Sequence, residues 1–259
     1  MNEKREKIRH GDLLISGKEI LDVGTDLEKK YEGTLKIDHV VEAEGTVILP
    51  GFVNVHHHTW QSLIRNIQAT RGLKLEPWLT VMYEIYKDLN TDVARAGVYS
   101  GLGDMLKTGC TTSNDLWYPH PVGVKYLVDA EIEAAAEIGI RFHPTRGFHS
   151  VPSSIVPPEV VDTKESVVED TIRLVKKYHD RSRFSMCQVG IAPSIAQYET
   201  EDIIEAVVDL AEEYDIMVHG HLAESQHEVE YTLKTWGCRP FEWFKRHRLL
   251  GKRFYFAHW

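Results

Sequence analysis

Three histidine-bearing segments stand at the ends of β-forming runs, and their spacing is where chemistry is most legible. The first is PGFVNVHHHTWQSLIRN (50–66). Side chains alternate along a strand, so His56 and His58 share one face while His57 points to the other. Two neutral imidazoles side by side pack poorly in a core but suit a divalent metal; the competing reading is a polar cluster in a loop. The second segment is HGHLAES (219–225), in which His219 and His221 again alternate onto one face. Glu224 follows three residues later, in range of a metal-activated water as a general acid or base. The competing role for Glu224 is to cap the helix that begins near Gln226, but Ser225 is the better cap by type. The third segment is FAHW (256–259). A lone histidine after an apolar strand is ordinarily a satisfied core residue; His258 gains weight from being the third histidine site to end a strand.

The elements that must position these residues alternate regularly. Short apolar runs at 47–55, 110–116, 140–147, 187–193, 216–222 and 253–259 read as buried strands. Helical periodicity separates them at 92–108, 121–138, 164–180, 201–214, 226–236 and 240–250, with Gly139 as a C-cap and Thr200 as an N-cap. Repeated strand–helix units imply parallel strands with helical crossovers. Six such strands fit either a doubly wound sheet or a partial (β/α)8 TIM-type barrel; the absence of GxGxxG after the first strand weakens a dinucleotide-binding sheet, and counted as a barrel the chain has six strands present. In such a barrel the active site lies at the C-terminal ends of the strands, where all three histidine segments fall. Residues 1–46 differ: DLLISGKEILDVG and TLKIDHVVEAEG are hairpin-like, with short strands and Gly-containing turns. The expected organisation is therefore part of a small β-sandwich domain over 1–46 and a partial barrel domain over 47–259.

Taken together, PGFVNVHHHTWQSLIRN, KTGCTTSND, HGHLAESQHEVEYTLKTWGCRPFEW, FYFAH and the opening GDLLISGKEILDVG resemble the amidohydrolase superfamily. The resemblance is to its aminohydrolase branch, the deaminases and dechlorinases of purines, pterins and s-triazines. It implies that His56, His58 and His221 bind a metal, and that His258 faces the bound water or substrate and ligates in binuclear members. Glu224 would move a proton to the ring nitrogen or leaving group. Gln61 would contact the heterocycle, and His219 would fix a ligand's tautomer. Arg146 and His149 either contact substrate or serve a plain surface role. Trp60, Trp78 and Trp117 either stack on a planar ring or pack. One divalent ion is implied, zinc first and iron second. The function so implied is hydrolytic deamination of a heteroaromatic amine.

The family's aspartate at the end of an eighth strand has no counterpart by motif. Asp115, which ends the second strand, is in the wrong place for it. The chain is therefore expected to be a fragment of a longer reading frame or to need a complement. The alternative function is that of a truncated, non-catalytic metal-binding or complementing chain of the same family.

Composition narrows the rest. Among 259 residues, 42% are apolar and the net charge is −9, which excludes intrinsic disorder and disfavours nucleic acid as a partner. No stretch approaches the ~18 apolar residues of a membrane helix, and MNEKREKIRHGD carries no secretory h-region. Three dispersed cysteines are no disulfide framework. A cytoplasmic protein is expected, with a small heterocycle as partner and self-association into a homo-oligomer possible.

Overall fold

The computed structural model describes residues 6–258. Contacts divide the chain into two compact units at Gly51/Phe52. In the first, β1 (Asp12–Ser16) and β2 (Glu19–Gly24) form an antiparallel hairpin around Gly17, whose φ of 58° suits a tight turn. A single helical turn, α1 (Leu27–Lys30), follows; the Asp12 carboxylate accepts from the Leu27 N–H at 2.9 Å. The expected second hairpin over 34–45 does not form: these residues carry no strand, and Val40 and Val41 are exposed. Apolar, β-prone residues supply only a preference, and without a partner strand they have no ladder to join.

The second unit is an α/β fold. Six parallel strands, β3 (Phe52–Asn54), β4 (Cys110–Trp117), β5 (Arg141–Phe148), β6 (Gly190–Pro193), β7 (Val218–His221) and β8 (Phe254–Ala257), are hydrogen-bonded in chain order. An order that never reverses is that of a barrel and not of a doubly wound sheet. The result is a six-stranded, incomplete TIM-type barrel. Helices fill the crossovers: α2 (Leu75–Tyr86) and α3 (Thr91–Lys107) precede β4, then come α4 (Leu127–Ile138), α5 (Lys164–Tyr178), α6 (Glu201–Tyr214), α7 (Gln226–Trp236) and α8 (Pro240–Arg246). Among the described residues, no helix is long and apolar enough to cross a membrane.

Local signals explain the boundaries. Asn90 caps α3 by accepting from the Asp92 and Val93 N–H groups, Ser225 caps α7 by accepting from Glu228, and Gly139 ends α4 with φ 77°. Thr200 occupies the N-cap position of α6 but makes no cap bond, because its hydroxyl donates to Asp202 instead. The first barrel strand is shorter than expected, three residues within 47–55, and the sixth ends at Ala257, Trp259 lying outside the described residues. Helix α4 begins only at Leu127, after Tyr126 in the left-handed region (φ 65°). Helix α2 was not anticipated from sequence.

One contact fixes the start of the site. After His58 the chain makes a 3₁₀ turn, Thr59–Leu63, against α3. The approach is close: a Cβ on Gly97 would lie 2.8 Å from the Trp60 Cα, and one on Gly101 would lie 2.6 Å from the Ser62 Oγ. Gly103, on the same helix, faces open space. Replacing Gly97 by Ala should therefore destabilise by about 1–3 kcal/mol through overpacking against backbone. Gly103→Ala should stabilise by up to ~1 kcal/mol through helix propensity. Denaturant midpoints of the two variants should move in opposite directions; a Gly97→Ala midpoint at or above wild type would show that the turn yields.

Candidate active site

The loops at the C-terminal ends of the strands surround a cavity of about 450 Å³, a size suited to a small molecule. His56 and His58 follow β3, His221 ends β7, and His258 follows β8 with φ 69°. Each of the first three imidazoles is oriented by its Nδ1. That of His58 lies 2.7 Å from the Leu116 carbonyl and that of His221 2.7 Å from the Ser194 carbonyl. A carbonyl only accepts, so both Nδ1 atoms carry hydrogen and both Nε2 atoms present lone pairs. His219 extends the same logic one step. Its Nδ1 donates to the Tyr255 carbonyl at 2.9 Å, so its Nε2 accepts from His56 Nδ1 at 2.8 Å, and His56 Nε2 is left bare.

These assignments require neutral rings. Burial, then the neighbouring imidazoles, depresses His56 to about 3, and burial depresses His221 to about 4 and His219 to about 3. The consequence is unusual: His58 Nε2 and His221 Nε2 face each other at 3.2 Å, lone pair to lone pair. Ligand atoms of His56, His58 and His221 all lie within 4.8 Å of one another. Two bare nitrogens at that distance repel unless a cation lies between them. The 3.2 Å separation suits two imidazoles sharing one ion at the usual ~2.0–2.1 Å zinc–nitrogen distance.

Around this trio the other residues singled out in the sequence fall into two groups. Glu224, His258 and Gln61 line the cavity. Glu224 Oε1 lies 3.7 Å from His258 Nε2, and the His258 ring stacks on that of His221 with centroids 5.4 Å apart. Burial raises the Glu224 carboxyl above its ordinary range, opposed by His258 and reinforced by Glu76. Gln61 Nε2 donates to the Tyr86 hydroxyl at 3.1 Å. His149 also lines the cavity, its Nε2 2.5 Å from the Tyr83 hydroxyl.

Arg146 is elsewhere. Its guanidinium is 2% exposed and grips Asp162 with two nitrogens, Asp170 with a third contact at 2.9 Å, and the Gly147 carbonyl. It is not among the cavity-lining residues, and with four of its five N–H groups so engaged it braces the scaffold instead of meeting a substrate. Of the three tryptophans, Trp78 lines the cavity, whereas Trp60 and Trp117 are buried and pack on each other at 4.5 Å.

Several wall residues were missed from sequence: Leu75, Glu76, Leu79 and Tyr83 on α2, Tyr118 after β4, and Gln197 and Tyr198 after β6. For α2 a signal existed. Trp78, Leu79, Met82, Tyr83 and Tyr86 fall on one helical stripe, with Glu76 and Pro77 in the first turn. Gln197 and Tyr198 are buried side by side in the wall.

Comparison with known proteins gives this arrangement its place. Residues 47–258 match the amidohydrolase family model, and the chain belongs to that family. Among its curated relatives are 8-oxoguanine deaminase of Pseudomonas aeruginosa, 31% identical over 84% of this chain and 49% of the relative, and hydroxydechloroatrazine ethylaminohydrolase of Pseudomonas sp. strain ADP, 28% identical over 95% and 53%. A solved variant of atrazine chlorohydrolase TrzN from Arthrobacter aurescens TC1, complexed with zinc and atraton, superposes with TM-score 0.89 at 25% identity, covering 99% of this chain and 58% of that one. E. coli guanine deaminase superposes with TM-score 0.78 at 27% identity, covering 96% and 55%. The chain spans about half the length of the curated relatives it matches.

The buried neutral histidines carry a stability signature, clearest at His143 on β5. Burial lowers it from its ordinary 6.5 to about 4, its Nδ1 donates to the Gln188 carbonyl, and its Nε2 has no partner. The unfolded chain therefore takes up a proton at this position below pH 6.5 that the folded chain refuses until about pH 4. Stability from this residue is present above pH 6.5 and is lost as pH falls through that window. Relative to His143→Gln, wild type should lose unfolding free energy progressively between pH 6.5 and 4; parallel pH profiles of the two proteins would contradict a neutral buried imidazole.

Proposed function

We propose that this chain carries the metal-binding half of a hydrolytic deaminase that removes an amino group from a heteroaromatic ring such as a purine, pterin or s-triazine. The observation carrying the reading is the 3.2 Å approach of two unprotonated Nε2 atoms at the floor of a cavity with aromatic walls. His56, His58 and His221 would hold one divalent ion. Zinc is the first choice for an all-imidazole set, with iron(II) second, and the zinc complex of the chlorohydrolase supports that order. A bound divalent ion supplies Lewis acidity that makes water a nucleophile near neutral pH.

The protein's own groups do the rest. The Glu224 carboxyl, held protonated more readily by burial, gives its proton to the ring nitrogen next to the attacked carbon, passes one proton of the attacking water to the departing amine, and is reset by that water's second proton as the carbonyl forms and ammonia leaves. His258, 3.7 Å away, orients that carboxyl and faces the same reacting centre. Gln61 addresses the edge of the ring, and Trp78, Tyr83 and Tyr118 enclose its faces. The same reading takes residues 1–46 as part of a small β-sandwich domain and 47–259 as a barrel domain. A cytoplasmic location agrees with three free cysteines, and a homo-oligomer is part of the proposal.

Metal content separates the roles. His58→Ala should lose stoichiometric zinc or iron by elemental analysis, and full occupancy in that variant would remove it from the ligand set. Glu224→Gln should keep its metal while deamination, followed by ammonia release, falls ~10²–10⁴-fold. Metal binding by the wild type without turnover of any purine, pterin or triazine amine would favour the non-catalytic alternative.

A further inference from the structure

Thr59 directly follows His58, is fully buried, and is gripped by two acids. Its backbone N–H donates to Asp115 Oδ1 on β4 at 2.5 Å, and its hydroxyl donates to Glu131 Oε1 on α4. Both acids are completely inaccessible. Among the described residues, the hydrogen bonds and ion pairs of these two side chains include no Lys, Arg or His. Their outer oxygens, Asp115 Oδ2 and Glu131 Oε2, receive no donor, and the N–H and hydroxyl of the one residue Thr59 bring the two carboxyl groups together.

Two ionised carboxylates cannot share a dry, cation-free pocket. One proton between them resolves the arrangement. Held between the acids, it leaves a single negative charge for the two Thr59 donors. Burial indeed pushes both carboxyls above their ordinary range. The neighbouring backbone completes the grip: Leu116 N–H donates to the His57 carbonyl at 2.8 Å, the Leu116 carbonyl accepts from His58 Nδ1, and Gly97 and Gly101 bring α3 against the far side of the turn.

We propose that Asp115 and Glu131 form a buried pair sharing one proton, and that by clamping Thr59 the pair sets the position of His58 Nε2. They are positioning residues and touch no substrate. The clamp's purpose rests on reading His58 as a metal ligand; the pair and the clamp themselves do not.

Three measurements on the purified chain test this. Infrared spectra of the metal-free protein in H2O and D2O at neutral pH should show a deuteration-sensitive protonated-carboxyl band in wild type that is lost in both Glu131→Gln and Asp115→Asn, and so stands out in the wild-type-minus-variant difference spectra. No such loss would overturn the shared proton. Hydrogen exchange of the 57–63 segment should be slow in wild type and in Glu131→Gln, whose amide replaces the protonated acid, and faster in Glu131→Ala and in Thr59→Val, which removes only the hydroxyl. Zinc affinity, by chelator competition, should fall about 10–100-fold in Glu131→Ala, as for other residues that orient ligands, and recover in Glu131→Gln. Equal exchange and equal affinity in all variants would overturn the clamp. Should Glu131→Ala not fold, Thr59→Val decides the same point. A wild type that binds no zinc, yet shows the infrared band and the exchange pattern, would sink the metal reading and leave the acid pair standing.

Discussion

The site depends on one constraint: an imidazole that donates from Nδ1 to a fixed acceptor must present an unprotonated Nε2 to the opposite side. His58 and His221 obtain that acceptor from main-chain carbonyls at Leu116 and Ser194, and His56 obtains it from His219, itself anchored on the Tyr255 carbonyl. Every one of those carbonyls lies on, or directly after, a parallel strand. The sheet thus fixes tautomers as well as positions. A fold that buried the same histidines without these acceptors would leave each ring free to choose its tautomer, and the three lone pairs would have no common target.

Burial works alongside this. The same removal from water that keeps the rings neutral raises the Glu224 carboxyl. The bare imidazole nitrogens and the raised carboxyl have one origin.

How much of this was readable beforehand varies residue by residue. The strand-end histidines were legible because side-chain alternation is a local property of extended backbone: His56 and His58 reach the same cavity although β3 itself ends at Asn54. The parallel barrel was legible from the strand–helix rhythm, and Ser225 from its residue type. Arg146 was not, because a buried guanidinium and a substrate-binding one look alike until Asp162 and Asp170 are seen to approach from a later loop and helix. The region 34–45 was misjudged since strand propensity says nothing about whether a partner is at hand. Asp115 was set aside for not matching an expected ligand position; its partner Glu131 lies in a helix whose sequence reads as an ordinary amphipathic surface, and only tertiary packing brings the two together over Thr59.

The anchoring of the imidazoles has a consequence for how such a site can change. The atoms that orient the three rings belong mostly to the peptide backbone, whereas the cavity walls are side chains of α2, Tyr118 and the segment after β6. Side-chain replacement in the walls leaves the carbonyl anchors in place. Cavity walls and imidazole floor are thus separately adjustable: the lining can change in shape and polarity while the rings keep their tautomers and their common target.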